Sequence, residues 1–196
     1  LASTFSYNIE TVLLFNKIDQ IRKNEKEDFN HLVSVYKNAG YECIEISGKK
    51  NINIDELKKI MVNKSCVFSG HSGVGKSTLI NNLDSSINIK TAPISESNSS
   101  GQHTTTFSEM YDLKFNSRII DTPGIKGFGL YDVKNNELRD YFKEFTLIGN
   151  CKFNNCLHYE EPHCEIKKRV ENGSISQSRY SNYLELLSEI NNNFRL

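Results

Sequence analysis

The sequence predicts an α/β fold with a mostly parallel sheet, followed by a small and mainly helical C-terminal module. Three observations lead to this prediction. Short apolar runs alternate with segments of amphipathic helical spacing, as in a parallel sheet with crossover helices. Polar or glycine-containing segments directly follow several of the predicted strands, where the loops of such a sheet carry function. The composition then changes near Gly149, where a segment rich in cysteine and histidine begins.

Strands and helices alternate in the first half of the chain. The strands are apolar runs that are typical of buried parallel strands, and the helices have apolar residues three and four positions apart. These elements are a strand over residues 11–15, a helix over 28–38, a strand over 41–46, a helix over 54–62, a strand over 66–69 and a helix that ends near residue 83. The apolar positions of the first helix are Phe29, Leu32, Val33 and Tyr36.

The second half begins with a polar loop over residues 93–101, which has no periodicity. Strands are predicted over residues 106–115 and 118–121, joined by a turn at Asn116 and Ser117. Helical spacing returns over residues 135–145 and again in the tail, over 179–194. The apolar positions of the tail helix are Tyr180, Tyr183, Leu184, Leu187 and Ile190.

Composition excludes several classes of protein. The chain has 196 residues and a formal net charge of zero, so no overall basic field indicates nucleic-acid binding. It contains no apolar run of membrane-spanning length and no signal segment, and we therefore expect a cytoplasmic protein without a membrane partner. Its five cysteines do not form a disulfide framework, and Cys43 and Cys66 fall in strand patterns as expected core residues.

The segment Gly70-His-Ser-Gly-Val-Gly-Lys-Ser77 has the pattern of a phosphate-binding loop between a strand and a helix. Glycines allow consecutive backbone N–H groups to surround phosphates, and the helix that follows directs its positive end toward them. Lys76 is expected to reach the outer phosphates and to contribute to catalysis, and the hydroxyl of Ser77 is expected to bind magnesium. The predicted contacts of this loop are Ser72, Gly73, Val74, Gly75, Lys76, Ser77 and Thr78.

Asn16-Lys-Ile-Asp19 has the pattern of a guanine-reading element. A carboxylate at Asp19 can accept hydrogen bonds from two N–H groups of guanine, whereas adenine would leave it unpaired. Asn16 is expected to brace the loops and Lys17 to cover the base, while Ser47 and Gly48 could place a backbone N–H near the guanine oxygen. Because this element precedes the phosphate loop, the sequence predicts a circularly permuted P-loop GTPase that binds GTP and GDP.

Asp121-Thr-Pro-Gly124 follows a predicted strand and fits a switch that senses the terminal phosphate. Asp121 is expected to hold magnesium through water and Gly124 to meet the phosphate through its N–H. The next residue is Ile125, where better-known GTPases carry a glutamine that orients the attacking water. Either intrinsic hydrolysis is slow or another residue replaces the glutamine. His103 is the candidate replacement, the alternatives being Gln102 or a His103 that is only a solvent-exposed loop residue.

Cys151, Cys156, His158 and Cys164 place three thiols and one imidazole within one short segment. This ligand set, with no obvious open position, predicts a structural tetrahedral zinc site. His163 is an alternative ligand, although it directly precedes Cys164 in the chain. Redox chemistry is disfavoured because the segment has no Cys-x-x-Cys pair.

Together, the order of these elements, Gly-Gln-His-Thr-Thr-Thr106, Asp-Thr-Pro-Gly-Ile-Lys-Gly-Phe-Gly129 and the Cys/His spacing closely resemble the RsgA (YjeQ) family of circularly permuted bacterial GTPases. The segment over residues 172–183 matches that family's C-terminal pattern. The resemblance implies catalysis by His103, magnesium binding by Thr105, and GTP hydrolysis stimulated by the small ribosomal subunit. It also implies that the zinc module docks on ribosomal RNA during late subunit maturation.

The same resemblance sets the expected domain organisation. We predict a GTPase domain over residues 1–148 with a truncated start and a zinc-binding module over 149–196, and we expect the family's N-terminal OB-fold to be absent. The protein is expected to be monomeric. The alternative function is a GTP-gated checkpoint that binds ribosomal RNA with little turnover of its own, which the isoleucine at position 125 favours.

Overall fold

The computed structural model describes residues 1–87, 89, 109–121, 133–146 and 151–193. The chain divides into two compact units. Unit 1 comprises Leu1–Leu13, Glu27–Cys43 and Gly129–Leu196, and unit 2 comprises Leu14–Lys26 and Ile44–Phe128. Residues on both sides of the predicted boundary at 148/149 belong to unit 1, and that boundary stays a prediction.

Five strands form two sheets in the described part of the chain. β1 (Val12–Asn16) neighbours β2 (Glu42–Ile46) in a two-stranded sheet. In the other sheet, β5 (Ser117–Asp121) lies between β3 (Ser65–Phe68), to which it is parallel, and β4 (Glu109–Leu113), to which it is antiparallel. The parallel pair brings the carboxyl ends of β3 and β5 side by side, with Phe68 opposite Asp121. The predicted α/β class is therefore confirmed, with β4 as an antiparallel member of a mixed sheet.

Eight α-helices and three short 3₁₀ turns are present in the described residues. The α-helices are α1 (Ala2–Ser6), α2 (Lys26–Asn38), α3 (Ile54–Met61), α4 (Lys76–Leu83), α5 (Asn135–Leu138), α6 (Lys143–Thr146), α7 (Glu165–Glu171) and α8 (Gln177–Asn193). The 3₁₀ turns are Ile18–Gln20, Lys23–Glu25 and Arg139–Tyr141. No helix of the described residues has both the length and the apolar character that a membrane span requires.

The core of unit 2 lies between its strands and the helices α3 and α4. Leu79, Ile80 and Leu83 are the buried residues of α4, which begins directly after Gly75. Ile119 of β5 is also fully buried in this unit. Burying a side chain of this size stabilises the fold by about 1.5–3 kcal/mol, so this packing fixes where α4 begins relative to the strands.

The core of unit 1 surrounds the C-terminal helix α8. Tyr183 is fully buried on this helix, and its ring makes edge contacts with Phe142 at 5.1 Å and Phe145 at 5.0 Å. Two buried cysteines, Cys156 and Cys164, belong to the same cluster. The core of unit 1 therefore joins the tail helix, α5, α6 and the Cys/His segment.

Several sequence predictions need correction. The continuous helix predicted over residues 135–145 is broken, because Phe142 adopts an extended backbone (φ −98°, ψ 102°) between the turn at Arg139–Tyr141 and α6. The break lets Phe142 and Phe145 stack at 5.2 Å and both enter the core. A helix breaks here because aromatic packing outweighs local helix propensity.

Burial also differs from prediction at three places. Leu32 is 47% exposed, and Val35 takes a buried position on α2 instead. All five residues of β1 are half-buried rather than buried, since this strand lies in a sheet of only two strands in the described part of the chain. Cys43 and Cys66 are likewise half-buried and not full core residues.

Candidate nucleotide and metal sites

The phosphate-loop segment connects β3 to α4 in unit 2. Gly73 and Gly75 adopt positive φ angles of 78° and 97°, which glycine adopts without strain. Lys76 begins the helix, and its Nζ donates hydrogen bonds to the carbonyl oxygens of Gly70 at 2.7 Å and His71 at 3.1 Å. The ammonium group is thus held over the loop, at the helix N-terminus where an anion is favoured.

Asp121 is the acidic counterpart of Lys76 at this end of the sheet. Asp121 is 3% exposed, and burial raises the pKa of its carboxyl group. The charge of Lys76 lowers that pKa, and the charge of Glu109 raises it. Burial lowers the pKa of Lys76, and the charge of Asp121 opposes that shift. Carboxylate and hydroxyl oxygens are ligands that magnesium prefers, so Asp121 and Ser77 fit a magnesium ion bound together with a nucleotide.

Asn16 links the guanine-reading segment to the phosphate loop. Its Nδ2 donates a hydrogen bond to the carbonyl oxygen of Val74 at 2.8 Å. Its Oδ1 accepts hydrogen bonds from the backbone N–H groups of Lys17 at 2.8 Å and Gly48 at 3.1 Å. A Cβ atom at Gly75 would lie 2.4 Å from Asn16 Nδ2, so this approach requires a glycine. One amide therefore connects three loops that are distant in sequence.

The carboxylate of Asp19 is oriented by Ser47. The Ser47 hydroxyl donates a hydrogen bond to Asp19 Oδ1 at 2.5 Å, and Ser47 is fully buried. The same hydroxyl oxygen accepts a hydrogen bond from the backbone N–H of Lys50 at 3.1 Å. Lys17 has a left-handed backbone (φ 69°), after which the 3₁₀ turn Ile18–Gln20 carries Asp19. The Asp19 carboxylate can still accept hydrogen bonds from the N–H groups of a base, because Oδ1 and Oδ2 together can accept several hydrogen bonds.

Unit 2 thus contains every predicted nucleotide residue that the structure describes. These residues are Asn16, Lys17, Asp19, Ser47, Gly48, Ser72, Gly73, Val74, Gly75, Lys76, Ser77, Thr78 and Asp121. His103, Thr105 and Gly124 lie outside the described residues. Asn16 bonds neighbouring loops as its pattern predicts. The Ser47 hydroxyl was not predicted as a partner of Asp19, because no local pattern relates residues 28 positions apart.

Cys151, Cys156, His158 and Cys164 converge in unit 1, with their ligand atoms all within 4.8 Å of one another. Cys151 Sγ lies 3.9 Å from Cys164 Sγ, and His158 Nδ1 lies 3.5 and 3.4 Å from those two sulfurs. Tetrahedral zinc with ordinary bond lengths would place sulfurs about 3.8 Å apart and sulfur about 3.6 Å from nitrogen. Cys151, His158 and Cys164 therefore have the spacing of ligands in a structural zinc site, and the Cys156 sulfur lies within 4.8 Å of their ligand atoms. His163 is not part of this cluster.

The surroundings of these ligands suit a metal ion. Burial lowers the pKa of His158 to about 4, with Arg139 acting in the same direction, so its imidazole is neutral as a metal ligand must be. Burial raises the pKa of Cys156 to about 12 and also raises that of Cys164. Buried thiolates without a counter-charge are costly, and a bound cation would supply that charge.

A set of polar contacts holds the Cys/His loop in place. Tyr180 and Tyr183 of α8 donate hydrogen bonds to the carbonyl oxygens of His158 and Leu157, both at 2.6 Å. The Glu161 carboxylate accepts the backbone N–H groups of Leu157 at 2.6 Å and Tyr159 at 3.0 Å. Helical spacing predicts the two tyrosines only as part of an apolar helix face. Their hydrogen bonds are not visible in the sequence, since the partners lie 22 and 26 residues away.

The comparisons with known proteins agree with this geometry. Residues 1–131 match the RsgA GTPase family model. The small ribosomal subunit biogenesis GTPase RsgA of Flavobacterium johnsoniae is 51% identical over the whole chain, which covers 60% of that protein. Its counterpart in Christiangramia forsetii is 50% identical, with 62% of that protein covered. The chain thus spans about three fifths of the length of these relatives.

Solved structures support the same assignment. YjeQ from Thermotoga maritima superimposes with a TM-score of 0.80 at 32% identity, covering 96% of this chain and 63% of that one. YloQ, described as a circularly permuted GTPase, gives a TM-score of 0.77 at 27% identity, covering 98% of this chain and 61% of that one. The predicted fold class, a circularly permuted GTPase, is confirmed. The chain belongs to the RsgA GTPase family.

Proposed function

We propose that this protein is a GTPase of late small-subunit maturation, which hydrolyses GTP to GDP and phosphate and thereby drives its own release from the subunit. One observation carries the proposal: Asn16 bonds the phosphate loop at Val74 and the loop of Gly48 at once. This contact joins a guanine-reading segment to a phosphate loop within unit 2. The names of the relatives support the small ribosomal subunit and its RNA as partners.

In this proposal, Asp19 accepts the ring N–H and the exocyclic amine of guanine, and Lys17 covers the base. The loop at Ser47 and Gly48 faces the guanine oxygen. Lys76 and the backbone N–H groups of the loop bind the outer phosphates. Ser77 and Thr105 would bind magnesium and Asp121 would hold it through water, and the ion would neutralise charge on the phosphates. The N–H of Gly124 contacts the terminal phosphate.

Hydrolysis requires a group that orients the attacking water. Ile125 cannot do so, because its side chain has no hydrogen-bonding atom. We assign this role to His103, whose imidazole can accept a proton from water near neutral pH. His103→Ala is expected to retain GTP binding and to lose stimulated turnover. Unchanged turnover would remove His103 from the mechanism.

Cys151, Cys156, His158 and Cys164 are proposed to hold a structural zinc ion in the module over residues 149–196. The ligand dimensions described above support zinc, and the absence of an open ligand position disfavours a catalytic metal. This module, following the GTPase domain over residues 1–148, would dock on ribosomal RNA. We further propose a monomeric protein that acts in the cytoplasm, where its ribosomal partner is assembled.

The test is GTP turnover by the full-length protein, titrated with purified small ribosomal subunits. Turnover should rise with subunit concentration to a plateau, and Lys76→Ala should abolish it, since this variant lacks the phosphate-binding ammonium. GTP-dependent binding to the subunit without stimulated turnover would instead favour the checkpoint function, in which the nucleotide only sets the docking state. A protein that shows neither GTP-dependent binding to the subunit nor GTP turnover would refute both functions.

A further inference from the structure

The phosphate-binding helix α4 also holds the guanine-side loop, through a residue that neither the sequence patterns nor the proposed nucleotide contacts include. Asn82 lies in the last turn of α4, and its Nδ2 donates a hydrogen bond to the carbonyl oxygen of Gly48. The N–H of Gly48 bonds Asn16 Oδ1 at 3.1 Å. Both backbone groups of Gly48 are therefore fixed by side-chain amides from two different segments.

Packing fixes Gly48 from a third direction. A Cβ atom at this position would lie 3.1 Å from Leu79 Cδ2 and 3.4 Å from Thr78 Cγ2. Leu79 is 4% exposed, so its side chain has little room to move away. The loop therefore rests directly on the face of α4 that carries Thr78, Leu79 and Asn82. A larger residue at this position would have to displace Leu79 by a few tenths of an ångström, and the Asn82 side chain holds the Gly48 carbonyl in its direction.

Ser47, the residue before Gly48, connects Gly48 to the base-reading carboxylate of Asp19. Ser47 donates its hydroxyl to Asp19 Oδ1 at 2.5 Å, and its backbone N–H and carbonyl pair with Ile52 at 3.2 and 3.1 Å. Ser47 is fully buried, so a shift of the adjacent peptide changes the bond to Asp19. The chain of contacts thus runs from Asn82 through Gly48 and Ser47 to the carboxylate of Asp19.

From these contacts we infer that Asn82 is a positioning residue for guanine recognition, which holds the loop of Ser47 and Gly48 in register with the phosphate-binding helix. The inference rests on the proposed nucleotide function of unit 2. Asn82 itself does not touch the nucleotide in this scheme. It acts by keeping the base-reading groups at a fixed distance from the phosphate loop. A nucleotide can then contact the base-reading groups and the phosphate loop at the same time.

The test compares Asn82→Asp with the unmodified full-length protein. Aspartate keeps the shape of the side chain but replaces the donor with a carboxylate that faces a carbonyl oxygen. Loss of one hydrogen bond corresponds to about a two- to tenfold change in an equilibrium constant, and the added repulsion should bring the effect to about tenfold. We expect dissociation of a fluorescent GDP to accelerate by about tenfold. The ratio of affinities for GDP and inosine diphosphate, which lacks the exocyclic amine, should fall severalfold.

Asn81→Asp is the matched control, because Asn81 is the neighbouring amide on the same helix and bonds the backbone of Ile89 at 2.9 Å instead. It should leave the ratio between GDP and inosine diphosphate unchanged. Competition by pyrophosphate, which has no base, should be equal in all three proteins. Asn82→Ala, which removes the donor without adding charge, gives a smaller change in the same direction and serves if the aspartate variant does not fold.

Two results would overturn the inference. One is an unchanged ratio between GDP and inosine diphosphate in both Asn82 variants. The other is a loss of affinity for pyrophosphate as large as the loss for GDP, since that would mark a general weakening of α4. If the unmodified protein binds none of these ligands, the proposed nucleotide function itself fails, which is a different outcome.

Discussion

The buried ion pair between Arg179 and Glu144 gives the sharpest prediction for stability. Arg179 Nε lies 2.7 Å from Glu144 Oε1 and Nη2 lies 3.3 Å from Oε2, with the side chains 8% and 5% exposed. The guanidinium group also lies over the ring of Phe142 at 5.0 Å. This pair fixes α8 to α6 within unit 1, and we expect Glu144→Gln to destabilise the fold strongly.

The expected size follows from burial. Removing one partner of a buried ion pair costs about 3–5 kcal/mol, because the remaining charge stays away from water. Glutamine retains one acceptor oxygen, and the aromatic ring still stabilises the guanidinium by about 1–2 kcal/mol, so we expect the lower end, about 3 kcal/mol. For a chain of this length, that corresponds to a fall of about 6–12 °C in the unfolding temperature.

The assay is thermal and urea unfolding followed by circular dichroism, with Asp112→Asn as the matched control. Asp112 pairs with Arg118 at a similar distance, 2.9 Å, but those side chains are 83% and 60% exposed. An exposed pair contributes about 0–1 kcal/mol, so the control should change little. Replacing both Glu144 and Arg179 with apolar residues should recover most of the loss. The reasoning is refuted if Glu144→Gln costs no more than the exposed control.

Three further predictions concern the phosphate loop, the end of α4 and the metal cluster. Gly75→Ala should weaken GDP binding by at least tenfold, because its Cβ would lie 2.4 Å from Asn16 Nδ2; fluorescent-nucleotide titration measures this. Hydrogen bonds from Ser86 to the Asp84 carboxylate lower the pKa of that group below its ordinary 3.8. As the pH falls, the unfolded chain therefore takes up a proton at Asp84 before the folded protein does. The stabilisation of the folded protein is lost as the pH falls below about 4. Asp84→Asn should flatten this acid decline in stability. Cys156→Ser should reduce bound zinc below one equivalent and destabilise unit 1, as measured by metal analysis and unfolding, because structural zinc sites contribute folding free energy.

A different experimental result would contradict each of these three predictions. Gly75→Ala with unchanged GDP affinity would mean that the approach of Asn16 is dispensable. An acid decline that persists in Asp84→Asn would assign it to other carboxyl groups. Cys43→Ser serves as the control for the metal site, because Cys43 lies outside the cluster, and equal zinc loss in both cysteine variants would contradict the ligand assignment.

Local patterns in the sequence predicted most of the elements that carry the sites. The helix after the phosphate loop begins at Lys76 because Gly75 can adopt a left-handed backbone there, and both features are visible in the sequence. The four candidate metal ligands were proposed from residue type and short spacing alone, and the structure brings the same four together. The helix α7 (Glu165–Glu171) was missed, because a helix of two turns has too few apolar positions to show a clear period.

The sequence by itself determined the order of the nucleotide elements, the choice of candidate metal ligands and the alternation of strands and helices. These features depend on residue types within a few positions of one another. Only the tertiary structure decided three interactions between distant residues. These are the Ser47–Asp19 hydrogen bond, the Asn82–Gly48 hydrogen bond and the Arg179–Glu144 ion pair, in which the two residues are 28, 34 and 35 positions apart. It also decided the break at Phe142, since the gain from packing two aromatic rings against α8 exceeds the preference of that segment for a continuous helix.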